Sequence, residues 1–183
     1  AQGRAEWCTL GAGGDRLTAP EDDERGATLQ VNARKEGPSG IARHIPLLAR
    51  GVVRVTLTVQ KPEAYLLFHD SFLTPGQVGE AVLRIRFTGD GQAFIGAGRQ
   101  QVKDLGRVNW MPQYSYLAYP VESEVAYPAT MTWGARTTVT AHCDVAARRA
   151  TVVIGAGPEV SVPLGDILGL SYFGLAVTDG GSL

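Results

Sequence analysis

Alternation of apolar and polar residues at a period of two runs through most of this chain. Between 135 and 144, Thr137, Val139, Ala141 and Cys143 fall on one face, while Thr138, Thr140, His142 and Asp144 fall on the other. That is the pattern of a strand buried on one side. Ala150, Val152 and Ile154 repeat it, and Gly155-Ala156-Gly157-Pro158 then turns the chain into 159–164, where Val160, Val162 and Leu164 alternate with Ser161 and Pro163. Phe173, Leu175 and Val177 alternate with Tyr172, Gly174 and Ala176 before the chain runs into Asp179-Gly180-Gly181.

The first half carries the same period. Ala27, Leu29, Val31 and Ala33 alternate with Thr28, Gln30, Asn32 and Arg34, and Gly37-Pro38-Ser39-Gly40 breaks the run. The stretch 41–48 is apolar but interrupted by Pro46, which predicts an edge strand or an irregular crossing. Val53, Val55, Leu57 and Val59 alternate with polar neighbours, whereas 65–72 is apolar on both faces, as in a central strand covered on both sides. Ala81, Leu83, Ile85 and Phe87 alternate with Val82, Arg84, Arg86 and Thr88, and Gly89-Asp90-Gly91 turns the chain into 92–98 as a hairpin. No helical period lasts beyond about two turns. The best short-helix candidate is 166–170.

Ten or more short strands separated by turns, without intervening helices, predict an all-β fold: a two-sheet antiparallel β-sandwich or jelly roll. At 183 residues the chain suits one domain over 1–183, with 1–26 partly irregular. The formal net charge of -1 offers no overall field for a polyanion and speaks against sequence-independent nucleic-acid binding. No apolar run approaches the roughly 20 residues needed to span a bilayer as a helix. The chain opens on Ala1 with no apolar leader, which fits a secreted, extracellular or periplasmic protein after processing, or a piece of a longer chain. Cys8 and Cys143 allow one intramolecular disulfide or two buried thiols. The acidic run Glu21-Asp22-Asp23-Glu24 reads as a solvated loop, with a calcium site as the alternative; no other cofactor is expected.

The strongest local pattern also resembles a known superfamily. Trp133, the strand 137–144, the turn Val145-Ala146-Ala147-Arg148-Arg149, the strand 150–154 and the closing strand 172–179 resemble the C-terminal half of a laminin G-like or concanavalin A-like lectin/glucanase jelly roll. The resemblance implies that fold and a carbohydrate ligand. Where many relatives place Tyr-Val-Asp-Gly, this chain has Val153-Ile154-Gly155-Ala156, so no ligand or calcium residue carries over.

Candidate chemistry concentrates between Trp110 and Trp133. Six of the 14 aromatic residues lie there: Trp110, Tyr114, Tyr116, Tyr119, Tyr127 and Trp133. Pro112, Pro120 and Pro128 keep this segment from pairing as a central strand and place it across a face or rim. Trp110, Tyr114, Tyr116, Tyr119 and Tyr127 are the candidate ligand-binding residues, since aromatic faces stack on sugar rings; packing over the core is the alternative use of the same rings. Glu122 and Glu124 share a face of extended chain, as a pair of glycosidase carboxylates would. Yet Glu122-Ser123-Glu124-Val125-Ala126 departs from the Glu-x-Asp-x-x-Glu strand of retaining glucanases at the Asp and the final Glu. The Arg-x-Glu-Leu-Arg and Gln-x-His strands of alginate-lyase-like proteins do not occur. His44, His69 and His142 are dispersed and form no metal-ligand spacing. His69-Asp70-Ser71 holds triad residue types in a row, but neighbours on a strand face opposite ways; His142 and Asp144 share a face and can pair.

These residues favour a non-catalytic carbohydrate-recognition or ancillary sandwich in a secreted glycan-active protein. The alternatives are a polysaccharide lyase or glycoside hydrolase built on Glu122 and Glu124, or a structural module packed against a neighbouring domain or subunit.

Overall fold

The computed structural model describes residues 7–10, 39–60, 63–70, 78–104 and 115–178. The strand expected around 27–34, the acidic run at 21–24, Trp110 and Tyr114 lie outside the described residues. Those described contain thirteen strands and no helix. In chain order they are β1 (Trp7–Leu10), β2 (Ser39–Leu48), β3 (Arg50–Thr58), β4 (Ala64–His69), β5 (Leu83–Phe87), β6 (Ala93–Ala97) and β7 (Gln101–Asp104). There follow β8 (Ser115–Ala118), β9 (Glu124–Ala126), β10 (Arg136–Asp144), β11 (Arg149–Ile154), β12 (Val160–Pro163) and β13 (Leu170–Val177). A large sheet has the order β1-β2-β13-β4-β5-β6-β9, a small sheet the order β12-β11-β10-β3, and β7 pairs with β8 alone. Every pairing is antiparallel.

The inner faces of the two sheets make the core. Ile41, Leu66, Phe68, Leu83, Ile85, Phe87 and Ile95 of the large sheet meet Leu57, Val139, Ala141, Val152, Ile154 and Val162 of the small one. Strand β4 is buried along its whole length because the outer face of the large sheet is covered there as well. There Ala42, Tyr65, Leu67, Ala81 and Ala176 form a second apolar cluster with Val78 and Tyr172. The expected doubly covered central strand is therefore present, flanked by β13 and β5.

Strand β2 lies between β1 and β13 only over 40–43. Among the described residues 44–48 pair with β13 alone, so Pro46 sits on the expected edge, at an irregularity: Leu48 pairs with Leu170 and His44 with Tyr172, so Ile45, Pro46 and Leu47 oppose Ser171 alone. A bulge needs no ladder hydrogen bond from the proline nitrogen. The short helix expected at 166–170 is absent. Three residues between Gly165 and Gly169 are too few to offset the cost of helix nucleation, and Asp166 instead makes an exposed ion pair of 2.6 Å with Arg148 before Leu170 opens β13.

The β5–β6 hairpin forms where the Gly-Asp-Gly turn placed it. The Gly91 nitrogen donates to the Thr88 carbonyl at 3.1 Å, and Asp90 Oδ1 accepts from Thr88 Oγ1 at 2.5 Å. Gly91 has φ of 81°, and a Cβ there would stand 2.6 Å from the Met131 carbonyl oxygen, so only glycine fits. Cys143 is a free, buried thiol on the inner face of β10, and burial pushes its pKa up to about 11. Of Cys8, only the backbone pairing in β1 is described.

Candidate functional site

The outer face of the large sheet gathers a polar array at its β9 edge. Because successive residues of β5 alternate, Leu83, Ile85 and Phe87 enter the core while Arg84 and Arg86 point the other way. Register then sets their neighbours. Arg84 lies opposite Leu67 on β4 and Gly96 on β6, and Gly96 lies opposite Glu124 on β9. Arg86 lies opposite Tyr65 and Phe94.

Gly96 makes the array possible. A Cβ at this position would stand 2.4 Å from Val121 Cγ1 and 3.1 Å from Glu124 Cγ, so the bare backbone leaves the space through which Glu124 reaches β5. Glu124 Oε1 lies 3.0 Å from Arg84 Nη2, while its Oε2 accepts from Arg86 Nε at 3.0 Å and Nη2 at 2.6 Å. Arg84 also donates from Nη1 to the Val78 carbonyl at 2.8 Å. The Arg86 guanidinium sits 4.5 Å from the centroid of the Phe94 ring and 3.6 Å from Glu63 Oε1. Tyr65 donates its hydroxyl to Glu63, and burial, reinforced by that carboxylate, raises its pKa to about 12.

Two guanidiniums and two carboxylates thus hold one another in fixed geometry. Burial disfavours the ionised form of Glu124, but the Arg86 hydrogen bonds and the charges of both arginines outweigh it and hold the carboxyl below its ordinary value. Arg86 moves the opposite way, its pKa raised mainly by the hydrogen bond to Glu124. A glycosidase general acid needs a raised pKa. Glu124 in this arrangement is an acceptor, not a proton donor. Glu122 is exposed and accepts a 3.3 Å hydrogen bond from Gln101, so the two glutamates engage different partners.

The aromatic segment divides. Tyr119 is completely buried and donates its hydroxyl to Asp70, and burial, with Asp70 reinforcing it, raises its pKa. Tyr127 is also buried; its hydroxyl donates to the Pro158 carbonyl at 2.6 Å and accepts from the Ile154 nitrogen at 3.0 Å, fastening the 155–158 turn to the core. Neither ring offers a face to a ligand, which corrects the expected surface role for these two. Each has a buried polar tip with a protein partner. Tyr116 belongs to β8, opposite Lys103. Trp133 is half-buried and donates from Nε1 to the Gly89 carbonyl at 2.9 Å.

A second polar cluster closes the other end of β4. The strand ends at His69 and the chain bends, so the carboxylate of Asp70 is not carried to the opposite face; its Oδ1 lies 3.1 Å from His69 Nδ1. Tyr119 meets the His69 ring edge-on at 5.1 Å, and Ser171 donates to the Asp70 carbonyl at 2.6 Å. Ser71 lies outside the described residues. His142 and Asp144 do share the outer face of β10, but Asp144 engages Arg50 at 3.4 Å and the Ala147 nitrogen at 2.9 Å. Among the described residues no three His, Cys, Asp or Glu side chains gather as a metal site requires.

No protein-family model matches the sequence, and no curated protein matches it. Solved structures do resemble the fold. A chain described as a sialidase superposes with a TM-score of 0.63 at 14% identity, over 97% of this chain and 14% of that one. A carbohydrate binding module, CBM66 from Bacillus subtilis, gives 0.56 at 11% identity over 97% of this chain and 91% of the module. Peanut lectin gives 0.57 at 10% identity over 100% and 89%. This chain therefore spans about one seventh of the sialidase but nearly the whole of the module and the lectin. The two packed antiparallel sheets and these neighbours show that the chain has a lectin-like β-sandwich fold.

Proposed function

We propose that this domain recognises carbohydrate without cleaving it, and that the sugar meets the outer face of the large sheet beside Glu124. The observation that carries the reading is the fixed array of Arg84, Arg86 and Glu124 next to the Phe94 ring. A sugar hydroxyl both donates and accepts, so a carboxylate set between two guanidiniums matches it with either group and without reorganisation. The ring beside them suits the C–H face of a pyranose. The names of two structural neighbours, a carbohydrate binding module and a lectin, support the same ligand class. Likeness to a small part of a chain described as a sialidase supports an ancillary place within a larger glycan-active protein, and secretion of that protein is part of the same proposal. The stacking role expected of Trp110, Tyr114 and Tyr116 remains part of this proposal.

A glycan array probed with the wild-type protein and with Glu124→Gln, Arg86→Ser and Phe94→Ala tests it. Binding to neutral oligosaccharides should fall about tenfold in each variant, the worth of one good polar or ring contact. Release of reducing ends by the wild type should stay at background. Oligosaccharide binding that survives all three changes removes this face from the reading, and turnover abolished by Glu122→Gln would make the protein a hydrolase or lyase.

A further inference from the structure

Register assigns an unexpected charge distribution to the outer face of the small sheet. Residues Arg50, Val52, Arg54, Thr56 and Thr58 of β3 lie opposite Asp144, His142, Thr140, Thr138 and Arg136 of β10. Arg149, Thr151 and Val153 of β11 continue those rows, followed by Pro163 and Ser161 of β12. Among these paired positions the face therefore carries Arg50, Arg54, Arg136 and Arg149 against the single carboxylate of Asp144, a surplus of three positive charges, with the exposed Glu159 just outside β12 at the margin. The whole chain has a net charge of -1, so the remainder is four negative.

All four arginines are exposed. Arg50 is taken by Asp144 at 3.4 Å, but Arg54, Arg136 and Arg149 have no carboxylate partner among the described residues. Arg50, Arg54 and the Arg136–Thr58 position follow one another at intervals of four residues along the paired strands. At about 3.4 Å per residue they form a line roughly 27 Å long. Between them the surface is hydroxylated: Thr56 and Thr138 share a hydrogen bond of 3.1 Å, Thr151 and Ser161 one of 3.0 Å.

We propose that this face is a second binding surface, separate from the Glu124 array, for an acidic polysaccharide. Charge complementarity selects a polyanion, and guanidiniums pair bidentately with the carboxylate or sulfate groups such a chain repeats. Threonine and serine hydroxyls suit the sugar hydroxyls between those groups. A single-stranded nucleic acid fits less well, because the one exposed ring among these paired positions, the imidazole of His142, makes no platform on which successive bases could stack. The net charge of the whole chain concealed this surface, since three positive charges on one sheet are offset elsewhere.

Affinity electrophoresis and calorimetry of the intact chain with heparin, polygalacturonate, neutral dextran and an oligonucleotide of matched charge test the inference. Heparin, polygalacturonate or both should bind, weakening as salt rises, and the two arms separate sulfate from carboxylate as the recognised group. Arg54→Ser/Arg136→Ser/Arg149→Ser should lose about tenfold or more at low salt, three exposed charge contacts each being worth a fraction of that. Asp144→Asn, which removes the opposing charge and keeps an acceptor for the Ala147 nitrogen, should bind more tightly. Arg99→Ser, an exposed arginine outside the face, should bind as the wild type does. Equal binding of dextran, an oligonucleotide held as tightly, a triple variant that binds normally, or an equal loss in Arg99→Ser would each overturn the proposal. The Glu124→Gln variant should keep this binding, so the two surfaces fail or stand separately.

Discussion

Glu124 and Arg86 are 38 residues apart and lie on strands that do not pair, yet Glu124 Oε2 stands 2.6 Å from Arg86 Nη2 across the intervening strand β6. The contact is direct because Gly96 of β6 places no side chain between them. Glu124 is more than four-fifths buried, and its folded pKa lies below its ordinary value. Such a carboxylate contributes stability that is present above its unfolded pKa and is lost as pH falls through its folded pKa. Glu124→Gln should therefore lower the melting temperature at pH 7, and the gap from wild type should close on acidification below about pH 4. Thermal melts of both proteins between pH 7 and 3 check this; a gap constant across that range contradicts it.

Tyr119 is a test of burial against surface display. Loss of the whole side chain from a fully enclosed site should cost about 3–5 kcal/mol in Tyr119→Ala. Tyr119→Phe keeps the ring and removes only the hydrogen bond to Asp70, which should cost about 1.5–3 kcal/mol for a charged acceptor. Urea midpoints for the two variants give the comparison. A negligible cost in Tyr119→Ala would place the ring on the surface.

Arg148 closes the β10–β11 hairpin with φ of 48°, a left-handed conformation that glycine adopts without strain. Its ion pair with Asp166 joins two side chains that are about two-thirds exposed, so little stability is lost with it. Arg148→Gly should be neutral or stabilise by up to about 1 kcal/mol. Chemical denaturation measures this, and a loss above about 1 kcal/mol would show that the Asp166 contact dominates.

The Cys143 thiol should resist modification in the native state. Burial and a pKa near 11 leave little accessible thiolate at pH 8. In a Cys8→Ser protein, labelling by a disulfide reagent should occur only as the chain unfolds. Prompt labelling of the folded variant would contradict the inward placement of Cys143.

What the sequence made legible follows from the range of the interactions. The alternation of Val139, Ala141 and Cys143 against Thr140 and His142 marks β10 because a half-buried strand imposes that period by itself. The Gly89-Asp90-Gly91 turn is equally local. Pro46 marked the one-sided pairing of 44–48, but its neighbours along the chain do not reveal the bulge opposite Ser171 or the pairing of 40–43 with β1. Tyr119 and Tyr127 misled because proline spacing describes backbone pairing, whereas burial depends on Asp70, Pro158 and Ile154, far away in sequence. Glu124 was visible as a carboxylate, but its partners were not. Arg84 and Arg86 carried one usable signal: two charges alternating with Leu83, Ile85 and Phe87 in one arm of a hairpin. Such charges need partners on the same face.

Nuclear magnetic resonance mapping of a neutral oligosaccharide titrated into the isotopically labelled protein is the most direct test of the proposed site. The expected result is saturable shifts of the amide and side-chain signals of Arg84, Arg86, Phe94 and Glu124, with Arg54, Thr140 and Arg149 on the small sheet unmoved. Saturable binding that leaves the Glu124 array unperturbed, or perturbs only the small sheet, would contradict the account.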